Sequence, residues 1–421
     1  MTQREIQIHE RPPLLQSLPL SFQHLFAMFG STVLVPILFG VDPATILLMN
    51  GLGTLLYIFI TKGQIPAYLG SSFAFVSPVT AVIASHAGGG YEYALGGFFA
   101  VGVVLILISF IIRVVGTSWI DVIFPPAAMG AIVAVIGLEL VPTAADMAGL
   151  LPAEGEAMDS TAVTVALLTL ASTIIYWVTM RGFLKIIPIL LGIVTGYAIA
   201  YFYGIVDFSA VEEAGWFQLP TFYQIQFNWM DILVILPAAL VLIPEHIGHL
   251  VVTGNIVKKD LVQEPGLDRS LFGNGLSTVF SSLLGSTPNT TYGENIGVLA
   301  ISRVYSTFII GGAAGLAIIL SFSGKLAALI SSIPTPVMGG ISLLLFGIIA
   351  VSGLRMLVEQ NVDYSNSQNL ILTCVVLVIG ISGASISIGN VALSGMGLAT
   401  VIAIILSLFF QLLRRFKLSN E

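Results

Sequence analysis

Charged side chains are scarce in this sequence of 421 residues: 9% of positions are Asp, Glu, Lys or Arg, against 56% hydrophobic. That balance excludes a water-soluble domain of this size and places the chain in lipid. Cysteine is rarer still. The lone Cys374 excludes an internal disulfide and a Cys-based metal cluster, and leaves the compartment open. Walker loops, metal-ligand spacings and nucleophile elbows are missing too, which argues against ATP-driven pumping and membrane-embedded hydrolysis. No basic stretch followed by a short apolar run and a small-residue cleavage site opens the chain, because the polar start MTQREIQIHERPPLL leads directly into apolar sequence. The N-terminus is therefore expected to be retained and cytoplasmic.

What is abundant is apolar sequence. Stretches long enough to cross hydrocarbon recur between Ser21 and Leu413, and roughly fourteen spans of about 20 residues fit there. The net charge of -7 says less than the placement of Lys and Arg. With the N-terminus inside, Arg4, Arg11, Lys62, Arg113, Arg181, Lys185, Lys258, Lys259, Arg269, Arg355, Arg414, Arg415 and Lys417 fall on cytoplasmic segments, and only Arg303 and Lys325 do not. The opposite loops carry Asp42, Glu92, Asp146, Glu154, Glu156, Asp159, Asp207, Glu212 and Glu213. An even span count with both termini cytoplasmic follows. Two more polar segments, 142–160 and 205–229, are expected on the acidic outer side, and neither is large enough to be a domain.

Two internal echoes organise the chain. Pro125-Pro126-Ala127-Ala128-Met129-Gly130-Ala131-Ile132 matches Pro334-Thr335-Pro336-Val337-Met338-Gly339-Gly340-Ile341, and Leu69-Gly70-Ser71 matches Leu284-Gly285-Ser286. Both second copies lie a little over 200 residues downstream, so each half holds about seven spans. Because that number is odd, the halves must be inverted. Inverted repeats mark secondary transporters, with the substrate held where interrupted helices of the two halves meet. The interruptions are legible at 70–78 and 285–294, where Gly, Pro, Ser and Thr replace Leu and Ile and resist continuous helix. Both are expected to be short extended segments, in spans 3 and 10, feeding half-helices whose backbone N–H groups face a ligand. The blander reading is a pair of polar re-entrant loops.

Ionisable groups at membrane depth cost a few kcal/mol each, so each one calls for a reason. Span eight, about Asp231 to Val252, contains Glu245, His246 and His249. Glu245 and His249 lie one turn apart on one face, within reach of a hydrogen bond, while His246 points about 100 degrees away. A carboxylate that burial disfavours and a neighbouring imidazole stabilises can gain or lose a proton at modest cost, as proton coupling requires. A buried structural pair is the alternative. Glu294 follows Gly293 and opens a helical run, so its carboxylate lies near a helix N-terminus, as ligand or as cap. Phe73, at the matching break, suits stacking on a flat ring as well as core packing. Gln23 and His24 brace the core or touch ligand; His86 and His246 receive no role. Glu139 is expected to be interfacial, near the outer end of span five. Pro125, Pro126, Pro334 and Pro336 are expected to kink spans five and twelve.

The run Glu294-Asn295-Ile296-Gly297-Val298-Leu299-Ala300-Ile301-Ser302-Arg303 resembles the signature of the nucleobase-ascorbate transporter family, with Ser302 in place of the usual Thr. Gln23-His24 matches that family's first-span motif. Residues 65–75 and 286–295 resemble its bacterial uracil carriers, and the likeness extends over nearly the whole chain. It implies an all-α polytopic membrane protein of about fourteen transmembrane segments in two inverted seven-span repeats, importing uracil with a proton across the cytoplasmic (inner) membrane. By resemblance residues 1–113 and 229–324 form a core domain, and 114–228 and 325–421 a gate domain. Glu245 and Glu294 would bind the base through carboxylates, Gly293 and Phe73 through backbone groups. Glu245, His249 and Glu294 would handle the proton, supported by His24, Ser72, Tyr292 and Asn295. A homodimer is implied, with no cofactor beyond the coupling proton and no nucleic acid partner. Phe346 stands where the uracil carriers have Tyr, which removes a hydroxyl at the gate. A purine, xanthine or ascorbate carrier, an anion transporter and a membrane enzyme acting on a base or lipid are the competing functions; two carboxylates at the breaks argue against the anion carrier.

Overall fold

A computed structural model describes residues 5–86, 89–152, 155, 157–388 and 391–418. Arg4, Glu154 and Glu156 of the charge pattern lie outside the described residues. In the first half α1 (Leu14–Ala27), α2 (Phe29–Phe39) and α3 (Pro43–Ile60) lead to strand β1 (Leu69–Ser71). A single 3-10 turn, Phe73–Phe75, then feeds α4 (Val76–Ser85). The chain continues through α5 (Tyr91–Val115), α6 (Ile120–Ile123), α7 (Pro126–Glu139), α8 (Val141–Met147), α9 (Ser160–Thr179), α10 (Pro188–Phe202) and α11 (Ser209–Glu213). The second half opens with α12 (Trp229–Ile235), α13 (Ala238–Val257) and α14 (Leu267–Leu283), then β2 (Asn289–Thr291) and α15 (Gly293–Ser302). It closes with α16 (Thr307–Ser321), α17 (Gly324–Ser331), α18 (Thr335–Glu359), α19 (Ser367–Ile381), a hairpin of β3 (Ser385–Ile388) and β4 (Val391–Ser394), and α20 (Gly395–Arg415).

Eight helical stretches among the described residues are long and apolar enough to cross a bilayer, and the α16–α17 pair, bent by 88°, makes a ninth if taken as one span. Residues 73–85, α10 and α19 are shorter apolar helices. The fold is therefore a mostly helical, polytopic membrane bundle. Its packing repeats between the halves. α5 lies on α14 as α3 lies on α16, α12 lies on α5 as α1 lies on α16, and α9 pairs with α10 as α19 pairs with α20. The matching approaches use matching glycines. A Cβ on Gly51 of α3 would come within 2.7 Å of Ala314 O in α16, and one on Gly275 of α14 within 2.9 Å of Gly102 O in α5. Small residues are what let apolar helices approach this closely in lipid.

The two sequence breaks meet at the centre of the bundle. β1 and β2 pair antiparallel, with Leu69 opposite Thr291, Gly70 opposite Thr290 and Ser71 opposite Asn289. Side chains from α3 and α14 complete the backbone bonding of the strands. Thr54 accepts a hydrogen bond from Leu69 N at 2.9 Å, and Thr278 donates to Asn289 O at 3.1 Å. The Asn289 amide reaches Met49 O, Ser277 Oγ and Ser281 Oγ at 2.9, 3.1 and 2.8 Å. Ser71 and Thr287 hydroxyls share a bond of 2.5 Å. Every one of these groups is buried.

The ends of the spans are tied as well. On one face the N-terminal segment lies along the turn after α15: Ile6 N donates to Arg303 O at 3.0 Å, Tyr305 N to Ile6 O at 2.8 Å, and Thr307 N to Ile8 O at 3.0 Å. Thr307 Oγ1 also reaches Gly63 O after α3. Arg303 therefore sits on the same face as the N-terminus and joins the cationic side, contrary to its expected place among the outer residues. The physical reason is that the extended strand followed by short α15 carries the chain back to that face by residue 303. On the other face, the segment after α11 crosses the ends of α3 and α5. Thr221 N donates to Asp42 Oδ2 at 2.9 Å, Asp42 N to the Tyr223 hydroxyl at 2.9 Å, and Gln226 N to Glu92 O at 2.9 Å. Lys325 stays on that face, its ammonium held by Val211 O and Glu212 O at 2.6 and 3.0 Å.

The prolines expected to kink spans five and twelve instead begin helices: Pro125 caps α7 with Pro126 in its first turn, and Pro334 caps α18 with Pro336 in its first turn. The missing N–H has no intrahelical partner to lose there, so proline fits without a bend. Replacing Asn289 with Ala removes the three bonds of its amide and strands buried acceptors on α3 and α14. The expected loss is about 1–3 kcal/mol, read as a lower midpoint of thermal unfolding in detergent relative to the unaltered protein.

Candidate substrate site at the broken helices

The site is assembled from three elements that converge on the strand pair. After β1 the chain turns through Ser72, whose hydroxyl accepts from Ala74 N at 3.2 Å and so caps the 3-10 turn carrying Phe73. After β2, Gly293 and Glu294 form the first turn of α15. α13 crosses both and presents Glu245 and His249. Ser72 Oγ lies 3.5 Å from Glu245 Oε2, the long end of hydrogen bonding. Glu245 and Glu294 are close enough for their charges to interact. The structure thus brings Ser72, Phe73, Glu245, His249, Gly293 and Glu294 to one junction.

Each side chain has a definite environment there. The Phe73 ring is 6% exposed and meets Phe346 of α18 edge-on, with ring centroids 5.5 Å apart and planes at 80°. His249 turns toward β2, its Nδ1 3.1 Å from Thr291 Oγ1. Its Nε2 would stand 3.2 Å from a Cβ placed on Gly293, so that edge of the ring lies against the glycine. No hydrogen bond or ion pair among the described residues joins His249 to Glu245. One helical turn brings two Cβ atoms near each other, but the rotamers aim the side chains independently, and the Thr291 hydroxyl takes the imidazole. Glu294 Oε1 is a buried acceptor with no hydrogen-bond partner among the described residues. At a helix N-terminus that oxygen meets a favourable field, and an N–H from a bound ring would complete its bonding.

The supporting residues hold α15 in place. His24 of α1, 1% exposed, pairs through Nδ1 with Asn295 Oδ1 at 3.0 Å, and Asn295 Nδ2 donates to Pro66 O at 3.2 Å. Tyr292 is 4% exposed, and its N–H bonds Tyr68 O at 3.2 Å, continuing the strand pairing by one step. His246 faces away from the junction, where Nε2 contacts Ser270 Oγ at 2.8 Å and Ser270 contacts the Tyr57 hydroxyl at 2.7 Å. His86 pairs with Asp231 at 3.0 Å where α4 ends and α12 begins. Glu139 is not at the end of a span. α8 continues the crossing to Met147, which leaves Glu139 inside the bundle.

Thr291, Asn289 and the hydroxyl-bearing face of α14 escaped the reading of the sequence. A signal for the last was present: Asn50-Gly51-Leu52-Gly53-Thr54 in α3 is repeated as Asn274-Gly275-Leu276-Ser277-Thr278 in α14. The two Thr residues of these runs are the ones that reach β1 and β2.

Two broken segments paired at mid-bundle, with carboxylates at their junction and apolar helices around them, define a polytopic membrane transporter. The chain belongs to the nucleobase-ascorbate transporter family, whose sequence profile, described as "Permease family", matches residues 15–389. It is 64% identical over 424 residues to a uracil permease of Paenibacillus larvae subsp. larvae, with 100% of each chain covered. It is 63% identical over 413 residues to a uracil permease of Escherichia coli (strain K12), covering 98% of this chain and 95% of that one. Among solved structures, the transmembrane domain of the cyanobacterial bicarbonate transporter BicA superposes with a TM-score of 0.62 at 16% identity, over 98% of this chain and 99% of that one. That last likeness is one of fold.

Two glycines of α15 offer a matched test. Gly293→Ala pushes a methyl against the His249 ring, whereas a Cβ on Gly297 meets nothing within 4 Å. Transport by the reconstituted protein is expected to fall several-fold, roughly 1 kcal/mol or more in effect, in Gly293→Ala and to stay unchanged in Gly297→Ala.

Proposed function

We propose that this chain is a uracil–proton symporter of the cytoplasmic membrane that works by alternating access. The observation that carries the reading is the junction itself: Glu245 and Glu294, close enough to interact and, among the described residues, paired with no Lys or Arg, at the meeting of two broken segments. Uracil presents N–H donors beside carbonyl acceptors. Two carboxylates and the free N–H groups at the start of α15 are the complementary set, and Phe73 supplies an aromatic wall. Cytosine reverses part of that pattern and would leave a buried acceptor unmatched, at a cost of about 1–3 kcal/mol. The uracil permeases to which the chain is similar along its whole length support the same substrate.

About fourteen crossings fit the helices if residues 14–39, α3, the β1–α4 segment, α5, α6 to α8, α9 and α10 are the first seven, and α12–α13, α14, the β2–α15 segment, α16, α17–α18, α19 and α20 the second. Matching packing pairs and antiparallel strands support an inverted repeat on this count. Packing also favours a core of α1–α5 and α12–α16 and a gate of α6–α10 and α17–α20. α5 and α14, and α3 and α16, associate within the first group, and α7 and α18, and α9 and α10, within the second. The site lies on the core, with Phe346 of the gate closing over Phe73. With the N-terminus inside, Arg303 adds to the cationic cytoplasmic face. A homodimer is the expected assembly on the family resemblance.

Coupling follows from charge. Two carboxylates held together in a low-dielectric site repel each other, so one proton and one substrate N–H relieve the site in concert. Glu245→Ala or Glu294→Ala is expected to reduce uptake of labelled uracil into proteoliposomes to background, and uptake at the unaltered rate in either variant removes the site. A panel of nucleobases tested for thermal stabilisation of the purified protein is expected to rank uracil first. Stabilisation by purines or xanthine with none by uracil would reassign the substrate. Replacing His249 with Leu is expected to weaken the dependence of uptake on external pH more than uracil binding.

A further inference from the structure

We infer that Glu139 is a second proton-handling carboxylate, loading protons from the face opposite the N-terminus and passing them to Glu245. This rests on the proposed symport and adds a residue that symport does not otherwise use. Glu139 closes α7, inside the bundle, and its Oε2 accepts a hydrogen bond from Met396 N at 2.8 Å, at the start of α20. The adjoining Gly395 has φ +52, and a Cβ placed on it would collide with the carboxylate. The first turn of α20 is thus built around this acid. Among the described residues no cationic side chain pairs with it. The carboxylate opens onto a cavity of about 60 Å3, with room for a few water molecules, lined by Ala74, Ser77, Val234, Ala238, Ser394 and Met396 among others.

The cavity adjoins the substrate junction at two points. On α13, Ala238 lies two turns before Glu245 on the same helical face, about 10 Å along the axis. In the first broken segment, Ser72 touches Glu245 while Ala74 and Ser77 line the cavity, and the Ser77 hydroxyl interacts with the Glu139 carboxylate. One run of six residues therefore spans from acid to acid. Among the described residues lining the cavity no other side chain is titratable: the 3-10 turn offers Ala74, α4 Ser77, Pro78 and Ala81, α12–α13 Val234 and Ala238 with Pro237 between them, and β4 and α20 Leu393, Ser394, Met396 and Gly397. α18 and α19 meet α7 just below through Phe346, Ala350 and Gly380, which are apolar. The step is balanced. A proton from external water converts the Glu139 carboxylate to the acid, which passes it through cavity water and the Ser77 hydroxyl to the Glu245 carboxylate, regenerating the Glu139 anion.

The test uses Glu139→Gln in the full chain, because glutamine keeps an acceptor for Met396 N and loses the exchangeable charge. Uracil-induced thermal stabilisation and uracil–uracil exchange at equal pH are expected within twofold of the unaltered protein. Uptake driven by an imposed pH gradient is expected to fall on the order of tenfold, with a flattened dependence on external pH. A variant with the unaltered pH profile overturns the inference, and so does one losing exchange and driven uptake together, which marks a purely structural acid. If Glu139→Gln does not fold, Ser77→Ala, which leaves the Met396 bond intact, is read by the same outcomes. Absence of gradient-driven uracil uptake in the unaltered protein overturns the proposed function itself and this inference with it. A defect confined to Glu139→Gln or Ser77→Ala separates the two.

Discussion

The pairing of two three-residue strands at the middle of the bundle is the constraint on which the site depends. Extended backbone at membrane depth leaves N–H and C=O groups that hydrocarbon cannot satisfy, at several kcal/mol each. β1 and β2 remove that cost from one another, and Thr54, Thr278 and Asn289 cover groups the strands leave open. Neither break is tenable without the other. Once they pair, both half-helices start from the same place. Phe73 then lies two positions beyond β1 and Glu294 three beyond β2, so the register that satisfies the backbone also sets the spacing of aromatic wall and carboxylate. A slip of one residue would turn alternate side chains to the opposite face and carry Tyr292 and Asn289 away from their contacts.

That constraint explains which parts of the molecule were legible in its sequence. The breaks were, because Gly, Pro, Ser and Thr cannot continue an apolar helix, and the acids were, because charge in a span demands a reason. What one element asks of another was less visible. His249 and Glu245 share a face of α13, yet the imidazole goes to Thr291, a residue whose role exists only after β2 has folded against α13. Arg303 was misplaced because a half-crossing made of strand and short helix does not look like a full span. The prolines at 125, 126, 334 and 336 read as kinks, and only the helix that follows each pair shows them to be starts. Glu139 looked interfacial because the polar segment from 142 suggested an early end to the span, which α8 instead carries on. The Asn-Gly-Leu-x-Thr repeat shows the opposite case, a signal present in plain letters whose meaning lies in the strands it serves.

The N-terminal segment illustrates how a polar, unremarkable stretch can matter to a buried site. Ile6 and Ile8 run beside Val304 and Tyr305, and the Ser306 hydroxyl donates to Glu10 O at 2.6 Å. Those bonds fasten the end of α15 away from the junction, while His24 and Asn295 fasten its body to α1. A helix of only ten residues that bears a buried carboxylate in its first turn has little packing of its own. It is positioned by ties at its start, middle and end, which lets the first turn remain free for a ligand without leaving the helix free to drift.

Charge decides what such a site can do. Among the described residues, neither Glu245 nor Glu294 has a cationic partner, and Glu294 keeps an oxygen without a donor. Two anions whose charges interact in a medium of low dielectric repel each other, and the α15 dipole offsets only part of that at one of them. The pair is therefore most stable when one member is protonated or accepts hydrogen bonds from a neutral ring, and least stable when neither holds. On the proposed cycle, that difference makes proton and substrate occupancy favour each other through the same two oxygens, with no separate coupling device. It also explains why the pocket is built from carboxylates rather than amides. An amide would bind the ring as well in one protonation state, but it could not exchange the proton that the proposed cycle requires.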